Sequence, residues 1–172
     1  MGRVVWINGT FGVGKTTVAE LIAQSLASAF ILDPEVIGET LWKHLVPPSL
    51  RPSDFQDIGL WRTFTRDSIT DAAARFNGVV IVPMTIARFD YFEEVVGAIS
   101  RRVQLDHFTL MASRATILRR ERERPDDQSA WVGQMVDRTL PVLADKRFSV
   151  HIDTEAQPAD AVAHEIVSHI AA

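Results

Sequence analysis

Residues 4–22 read VVWINGTFGVGKTTVAELI, and this stretch decides the predicted fold. An apolar run from Val4 to Ile7 predicts a buried strand, and apolar residues at helical spacing predict a helix from Thr16 to Ala27. Between them lies Gly9-x-x-x-x-Gly14-Lys15-Thr16, which is the spacing of a phosphate-binding P-loop. A strand, a glycine-rich loop and a helix in this order predict an α/β domain built around a phosphate site.

The chemistry of the loop follows from its residue types. Glycines let backbone N–H groups point inward at phosphate oxygens, and the positive end of the next helix adds to the attraction. Lys15 can reach the β- and γ-phosphates, and the Thr16 hydroxyl is a ligand for Mg²⁺. The sequence has no Asn-Lys-x-Asp guanine signature, which favours ATP. The loop residues expected to bind the cofactor are Gly9, Thr10, Phe11, Gly12, Val13, Gly14, Lys15, Thr16 and Thr17.

Length and composition limit the class of protein. A chain of 172 residues fits one domain over residues 1–172. The formal net charge of −4 argues against a nucleic-acid partner, and the absence of Cys fits a cytoplasmic location. The longest apolar run, near Val79 to Ala87, is shorter than the ~18 residues of a membrane span. Weak peripheral membrane contact stays open, as does the choice between a monomer and a homodimer.

Apolar runs alternate with helical patterns along the whole chain. Further strands are predicted over Phe30–Leu32, Val79–Val82, Val103–Leu110 and Phe148–Ile152. Further helices are predicted over Pro34–Leu45, Ile58–Phe76 with Asn77-Gly78 as its C-cap, Asp90–Ile99, Ser113–Arg124, Ser129–Leu143 and Pro158–Ala171. Nearly all-apolar strands that alternate with helices predict an open, doubly wound parallel sheet.

In such sheets, ligands bind beyond the carboxyl ends of the strands. Asp33 follows the second predicted strand, so its carboxylate is expected near the P-loop. It can accept the proton of a substrate hydroxyl or hold a water on Mg²⁺, and it can also cap the helix that begins at Pro34. Glu35 is a weaker candidate for the same work.

The third predicted strand ends without an acid, in Pro83, Met84 and Thr85. Thr85 is therefore a candidate contact for the substrate. On the predicted helix before this strand, Arg62 lies beside Trp61, and an Arg next to an aromatic ring can bind an anionic or planar ligand. An exposed amphipathic helix explains the same pattern equally well.

The segment RRERERPDD, from Arg119 to Asp127, is either a solvated helix end or part of a lid over the triphosphate. A kinase needs such a lid because an open site would hydrolyse ATP. We expect a short lid at about residues 119–138, with Arg120, Arg124 and Arg138 neutralising phosphate charge and Arg120 also contacting the nucleotide.

Five segments together resemble the tunicamycin-resistance ATP-binding proteins: VWINGTFGVGKTT, ILDPEVIG, DFQDIGLWRTF, VVIVPMTI and HFTLMASRATILRR. More distantly the layout is similar to chloramphenicol phosphotransferase, shikimate kinase and nucleoside monophosphate kinases. The resemblance implies a three-layer α/β/α P-loop fold with a five-stranded parallel sheet in the adenylate-kinase order 2-3-1-4-5. It also implies that ATP and Mg²⁺ bind, and in the more distant relatives an acid after strand two, matched here by Asp33, serves substrate hydroxyls.

Three functions fit the resemblance. The leading hypothesis is transfer of the ATP γ-phosphoryl group to a hydroxyl of a nucleoside antibiotic such as tunicamycin, whose uracil would stack on Trp61 or Phe11. In this hypothesis Thr16 and Asp33 hold the metal, while Asp33, Trp61, Arg62 and Thr85 face the substrate. The alternatives are sequestration of tunicamycin without chemistry and a nucleoside or nucleotide kinase.

Overall fold

A computed structural model describes residues 2–125 and 128–171 of the chain. Within them, five parallel strands form one sheet in the order β2-β3-β1-β4-β5, which confirms the predicted order. The strands are β1 (Arg3–Gly9), β2 (Ala29–Ile31), β3 (Val79–Pro83), β4 (Gln104–Met111) and β5 (His151–Asp153). Asp126 and Asp127 of the expected lid lie outside the described residues, as do Met1 and Ala172.

Helices cover both faces of the sheet. They are α1 (Lys15–Ser25), α2 (Pro34–Thr40), α3 (Gly59–Arg75), α4 (Phe89–Phe92), α5 (Ala98–Ser100), α6 (Arg114–Arg122), α7 (Ser129–Leu143) and α8 (Ala159–Ala171). Alternate side chains of β1 enter two separate cores, because successive residues of a strand point to opposite faces. Val5 and Ile7 pack in one core with α1 and α8, whereas Val4 and Trp6 pack in the other with α3. These layers confirm the predicted α/β/α architecture.

Two of the predicted helices continue as wider turns, and the predicted last strand is too long. α2 passes into a π-helical turn at Leu41–Leu45, and α4 passes into another at Glu93–Gly97. The segment Lys146–Phe148 is a 3₁₀ turn, so β5 begins only at His151. Phe148 is nevertheless fully buried, which explains the apolar signal that we assigned to a strand.

Asn77-Gly78 does not form the expected left-handed cap. α3 ends at Arg75, Phe76 is extended, and Gly78 is not among the glycines with positive φ. The glycine is needed for close approach instead, since a Cβ there would lie 2.4 Å from the Ser28 carbonyl oxygen. Gly78 thus lets the chain enter β3 directly against the segment that precedes β2.

No helix in the described part of the chain has both the length and the apolar character needed to cross a membrane.

Replacing Gly78 with Ala should lower the free energy of unfolding by about 1–3 kcal/mol, because the methyl group would overlap backbone that cannot move freely. Gly59→Ala is the matched control, since the nearest atom to its Cβ is the end of the Arg62 side chain at 3.6 Å. That change should leave stability unchanged or raise it by about 0.4–1 kcal/mol. Chemical denaturation measures both, and equal effects of the two substitutions would contradict the packing role of Gly78.

Candidate active site

The P-loop connects β1 to α1 and has the backbone shape that its glycines predict. Gly12 and Gly14 have φ angles of 73° and 106°, in the left-handed region where residues with a Cβ are strained. Ile117 and Val132 of the covering helices lie close to Gly12, at 3.0 and 3.2 Å from the position of an added Cβ. The loop is therefore held between the sheet and α6 and α7.

Asn8 fixes the beginning of this loop to the chain that follows β3. Its side-chain oxygen accepts hydrogen bonds from the N–H groups of Gly9 (2.9 Å) and Ile86 (3.1 Å). Its side-chain nitrogen donates to the Ile86 carbonyl at 3.0 Å. The Thr85 hydroxyl donates to the Gly9 carbonyl at 2.6 Å. The first of these bonds lies within the loop, and the other three join the entrance of the P-loop to the chain at the end of β3.

Lys15 begins α1 and lies over the P-loop. Its ammonium donates to the Thr10 carbonyl at 3.0 Å and lies 5.5 Å from the centre of the Phe11 ring. Burial lowers the pKa of Lys15 to about 8, and the nearby carboxylates of Glu35 and Asp33 partly offset this effect. Lys15 therefore loses its proton at a lower pH than an exposed lysine does, and a bound phosphate would favour its charged form.

A cleft of about 560 Å³ opens above the loop. It brings together side chains that the sequence placed at separate strand ends. Its lining residues are Phe11, Gly12, Val13, Gly14, Lys15, Thr16, Thr17, Val18, Asp33, Glu35, Pro83, Arg120, Glu121, Arg124, Thr154, Gln157, Pro158, Ala159 and Val162. Gly9 and Thr10 are buried and are not among the lining residues, although the Thr10 carbonyl accepts the Lys15 ammonium.

Two carboxylates face Lys15 across the cleft. Asp33 caps α2, because its Oδ1 accepts the N–H of Glu35 at 2.9 Å, and it also lines the cleft. Burial raises the pKa of Glu35, the charge of Asp33 raises it further, and Lys15 opposes both effects. The arrangement supplies oxygen ligands and a potential proton acceptor beside a phosphate-binding ammonium.

The donor set fits Mg²⁺ better than a transition metal. The described residues contain no cluster of three or more His, Cys, Asp or Glu side chains that could hold an ion by themselves. Mg²⁺ is commonly held by one or two carboxylates together with substrate phosphates and waters. Thr16 and Asp33 both line the cleft and offer oxygen donors of this kind.

The geometry distinguishes among the arginines of the expected lid. The Arg120 guanidinium donates to the Thr154 carbonyl oxygen and hydroxyl, at 2.5 and 3.2 Å, which holds it beyond the end of β5. Arg124 lies in the cleft wall, 3.4 Å from a carboxylate oxygen of the buried Glu121. Arg119 points to Glu123 at 3.7 Å, and Arg138 is exposed on α7 outside the lining of the cleft.

Three residues that we expected to face the substrate make contacts within the protein instead. Trp61 is fully buried and its indole N–H donates to the Pro34 carbonyl at 2.9 Å, so no ring face is open for stacking in this structure. Thr85 is buried too, and its only hydroxyl proton is used by Gly9. The Arg62 guanidinium contacts Glu94 at 2.6 Å and lies 4.1 Å from the centre of the Tyr91 ring.

Sequence reasoning missed several residues that the structure places at the site. Glu121 is 4% exposed and lies inside a charge run that we assigned as solvated or as lid, so its burial had no sequence signal. Gln157 and Pro158 line the cleft from the loop before α8. Asn8 had a usable signal, because a polar residue at the end of an apolar strand needs buried partners.

Several solved structures are similar to this chain over almost its whole length. The Deinococcus radiodurans tunicamycin resistance protein is 29% identical, with a TM-score of 0.80, 99% of this chain covered and 96% of that one. Shikimate kinase from Bacteroides thetaiotaomicron is 14% identical, with a TM-score of 0.63 and 99% of both chains covered. The Mycobacterium tuberculosis APS kinase CysC, solved with AMPPNP and APS, is 18% identical, with a TM-score of 0.66 and coverages of 99% and 98%.

No curated protein sequence matches the chain. The match to the tunicamycin resistance protein confirms the resemblance drawn from the sequence, and the matches of lower identity show the same fold. Residues 4–143 match the AAA_33 model, described as an AAA domain, and this span is most of the chain. The protein belongs to the AAA_33 family of AAA domains.

Proposed function

We propose that the protein transfers the γ-phosphoryl group of MgATP to a hydroxyl group of a nucleoside antibiotic such as tunicamycin. The observation that carries the proposal is the single cleft in which Lys15 and Thr16 of the P-loop face Asp33 and Glu35. The similarity to a tunicamycin resistance protein supports the choice of acceptor. The cytoplasmic location and the oligomeric state stay predictions from the sequence.

The chain supplies a group for each part of the transfer. Lys15 binds the β- and γ-phosphates, and Thr16 and Asp33 would hold Mg²⁺, which neutralises phosphate charge when bound. The acceptor hydroxyl oxygen bonds to the γ-phosphorus as the bond from that phosphorus to the β–γ bridging oxygen breaks. ADP leaves with the electron pair, and the hydroxyl proton passes to Asp33. Arg120 and Arg124 stabilise the charge that spreads over the transferred group.

Charge pairing in the segment between β2 and the middle of α3 favours an uncharged acceptor. Residues 33–67 contain four Lys or Arg side chains, and each has a partner within the described structure. Three of them pair with carboxylates: Lys43 with Glu39 at 2.7 Å, Arg62 with Glu94 at 2.6 Å, and Arg66 with Asp67 at 2.8 Å. The fourth, Arg51, donates to the carbonyls of Val46 and Lys43. A nucleoside monophosphate would need such a cation for its phosphate. The pairing therefore argues for a nucleoside-type hydroxyl acceptor and against a nucleotide.

Asp33→Asn should abolish transfer to tunicamycin while both ligands still bind, because the amide keeps an oxygen that can face Mg²⁺ but cannot take up the hydroxyl proton. Lys15→Ala should weaken ATP binding itself, since the phosphates lose their ammonium partner. Product mass and ADP release report transfer, and calorimetry reports binding of each ligand. If wild-type protein binds tunicamycin and ATP but forms no phosphorylated product at stoichiometric concentration, sequestration replaces transfer. High turnover on a simple nucleoside or monophosphate would indicate a nucleoside or nucleotide kinase.

Glu94→Gln should remove the counter-charge of Arg62, which the Gln56 carbonyl still holds in place, and let the protein accept an anionic ligand. The side chain of Arg62 is 14% exposed, so the uncompensated guanidinium would attract a phosphate strongly. We expect UMP affinity to rise about tenfold in this variant, by about the worth of one charge-assisted hydrogen bond, with uridine affinity unchanged. The double variant Arg62→Ala/Glu94→Gln is the control and should lose the gain. Wild-type protein that already binds UMP far more tightly than uridine would rule out the uncharged acceptor.

ATP affinity should fall as the pH rises above about 8, the pKa of Lys15 in the free protein. Above that pH the free lysine is neutral, so binding must take up a proton, and Kd should rise by up to about tenfold per pH unit. Lys15→Arg is the matched control, because a guanidinium stays charged throughout this range. Its Kd should be larger but flat from pH 7 to 10. A wild-type profile that is equally flat would contradict the assigned role of Lys15.

A further inference from the structure

The helix α7 contacts the two P-loop residues on which the Lys15 ammonium rests. The Trp131 ring packs edge-on against Phe11 with 4.8 Å between ring centres, and the hydroxyls of Thr139 and Thr10 lie 2.6 Å apart. Lys15 contacts the same pair, through the Thr10 carbonyl and the Phe11 ring. α7 therefore contacts both residues that hold the Lys15 ammonium, Thr10 through a hydroxyl and Phe11 through a ring.

The direction of the hydroxyl contact follows from counting protons. The Thr139 hydroxyl donates its proton to the Met135 carbonyl of the preceding turn, at 2.8 Å. It can therefore act only as an acceptor toward Thr10, whose hydroxyl must donate. Thr10 is fully buried, so without Thr139 its hydroxyl would lose the one acceptor that it has among residues 2–125 and 128–171. A buried hydroxyl without a partner is costly, and the peptide that carries it would have to move.

Movement of that peptide would reach Lys15 directly. The Thr10 carbonyl belongs to the same residue as the anchored hydroxyl and accepts the ammonium at 3.0 Å. The neighbouring Phe11 and Gly12 are also packed against α7, through Trp131 and Val132. α7 therefore acts on three consecutive P-loop residues, of which Thr10 is the one joined to it by a hydrogen bond.

We propose that Thr139 is a positioning residue for Lys15, acting through the Thr10 hydroxyl to fix the carbonyl that holds the ammonium over the phosphate site. The inference rests on the nucleotide-binding half of the proposed function and not on the identity of the acceptor. In this proposal α7 fixes the shape of the P-loop beneath it, independently of any closure of the lid over the triphosphate.

The test compares Thr139→Val, which keeps the shape of the side chain but removes its hydroxyl, with Thr139→Ser, which keeps the hydroxyl. Binding of the Mg²⁺ complex of the non-hydrolysable analogue AMPPNP is measured by calorimetry, and the stability of each variant is measured by chemical denaturation. Thr139→Val should weaken binding about tenfold, which is the effect of about one lost hydrogen bond. Thr139→Ser should bind AMPPNP with the wild-type affinity.

If Thr139 only stabilised the fold, AMPPNP binding would recover whenever stability recovers. The double variant Thr10→Val/Thr139→Val removes both hydroxyls, so it should recover much of the stability that Thr139→Val loses, and it serves if the single variant does not fold. Under our proposal it still binds AMPPNP weakly, because the loop remains unanchored. If either valine variant binds AMPPNP with the wild-type affinity, the proposal is overturned. Failure of the wild type to bind AMPPNP would instead refute the proposed function.

Discussion

The structure depends on the hydrogen bonds that Asn8 makes between the start of the P-loop and the chain after β3. The segment Met84 to Ile86 is buried, and buried backbone groups need partners that water cannot supply there. The side chain of Asn8 satisfies both the N–H and the carbonyl of Ile86. The indole of Trp6 donates to the Met84 carbonyl, and the Gln56 amide donates to the Thr85 carbonyl. Trp6 and Asn8 of β1 thus tie the end of the third strand to the start of the phosphate loop.

This constraint explains why the tip of β3 carries no acid. Its polar groups are consumed in fixing the loop, and Thr85 serves Gly9 rather than a ligand in this structure. The carboxylates come from the neighbouring strand instead, where Asp33 and Glu35 begin α2. Their charges oppose the burial of Lys15 and keep its pKa at about 8 rather than lower. The site therefore combines a phosphate loop fixed to the ends of β1 and β3 with two carboxylates from the start of α2.

The fold and the phosphate site could be predicted because their signals are local. The P-loop spacing, the apolar strands and the carboxylate after β2 are each readable within a few residues. The roles of Trp61 and Arg62 were not readable in this way. Which face of α3 turns inward depends on Pro34 of another element, and the partner of Arg62 lies about thirty residues away at Glu94. Pairing between distant elements leaves no pattern in a single sequence.

The charge run in α6 shows the same limit. Periodicity places its arginines on a helix but cannot tell which ones face the phosphate loop, because that depends on how α6 and α7 pack. The structure turns Arg120 toward Thr154 and Arg124 toward the cleft, whereas Arg119 pairs with Glu123 on the surface. Thr139 is a stronger example, since nothing in its sequence neighbourhood indicates a bond to a residue of the P-loop.

The central claim is that the P-loop and Asp33 form one site for phosphoryl transfer, and the fate of the γ-phosphoryl group tests it most directly. A single-turnover experiment with γ-labelled ATP, Mg²⁺, excess protein and tunicamycin follows the label through chromatographic separation. The account predicts that the label moves to tunicamycin in an amount equal to the limiting ATP. Label that stays in ATP, or that appears only as inorganic phosphate, would contradict it.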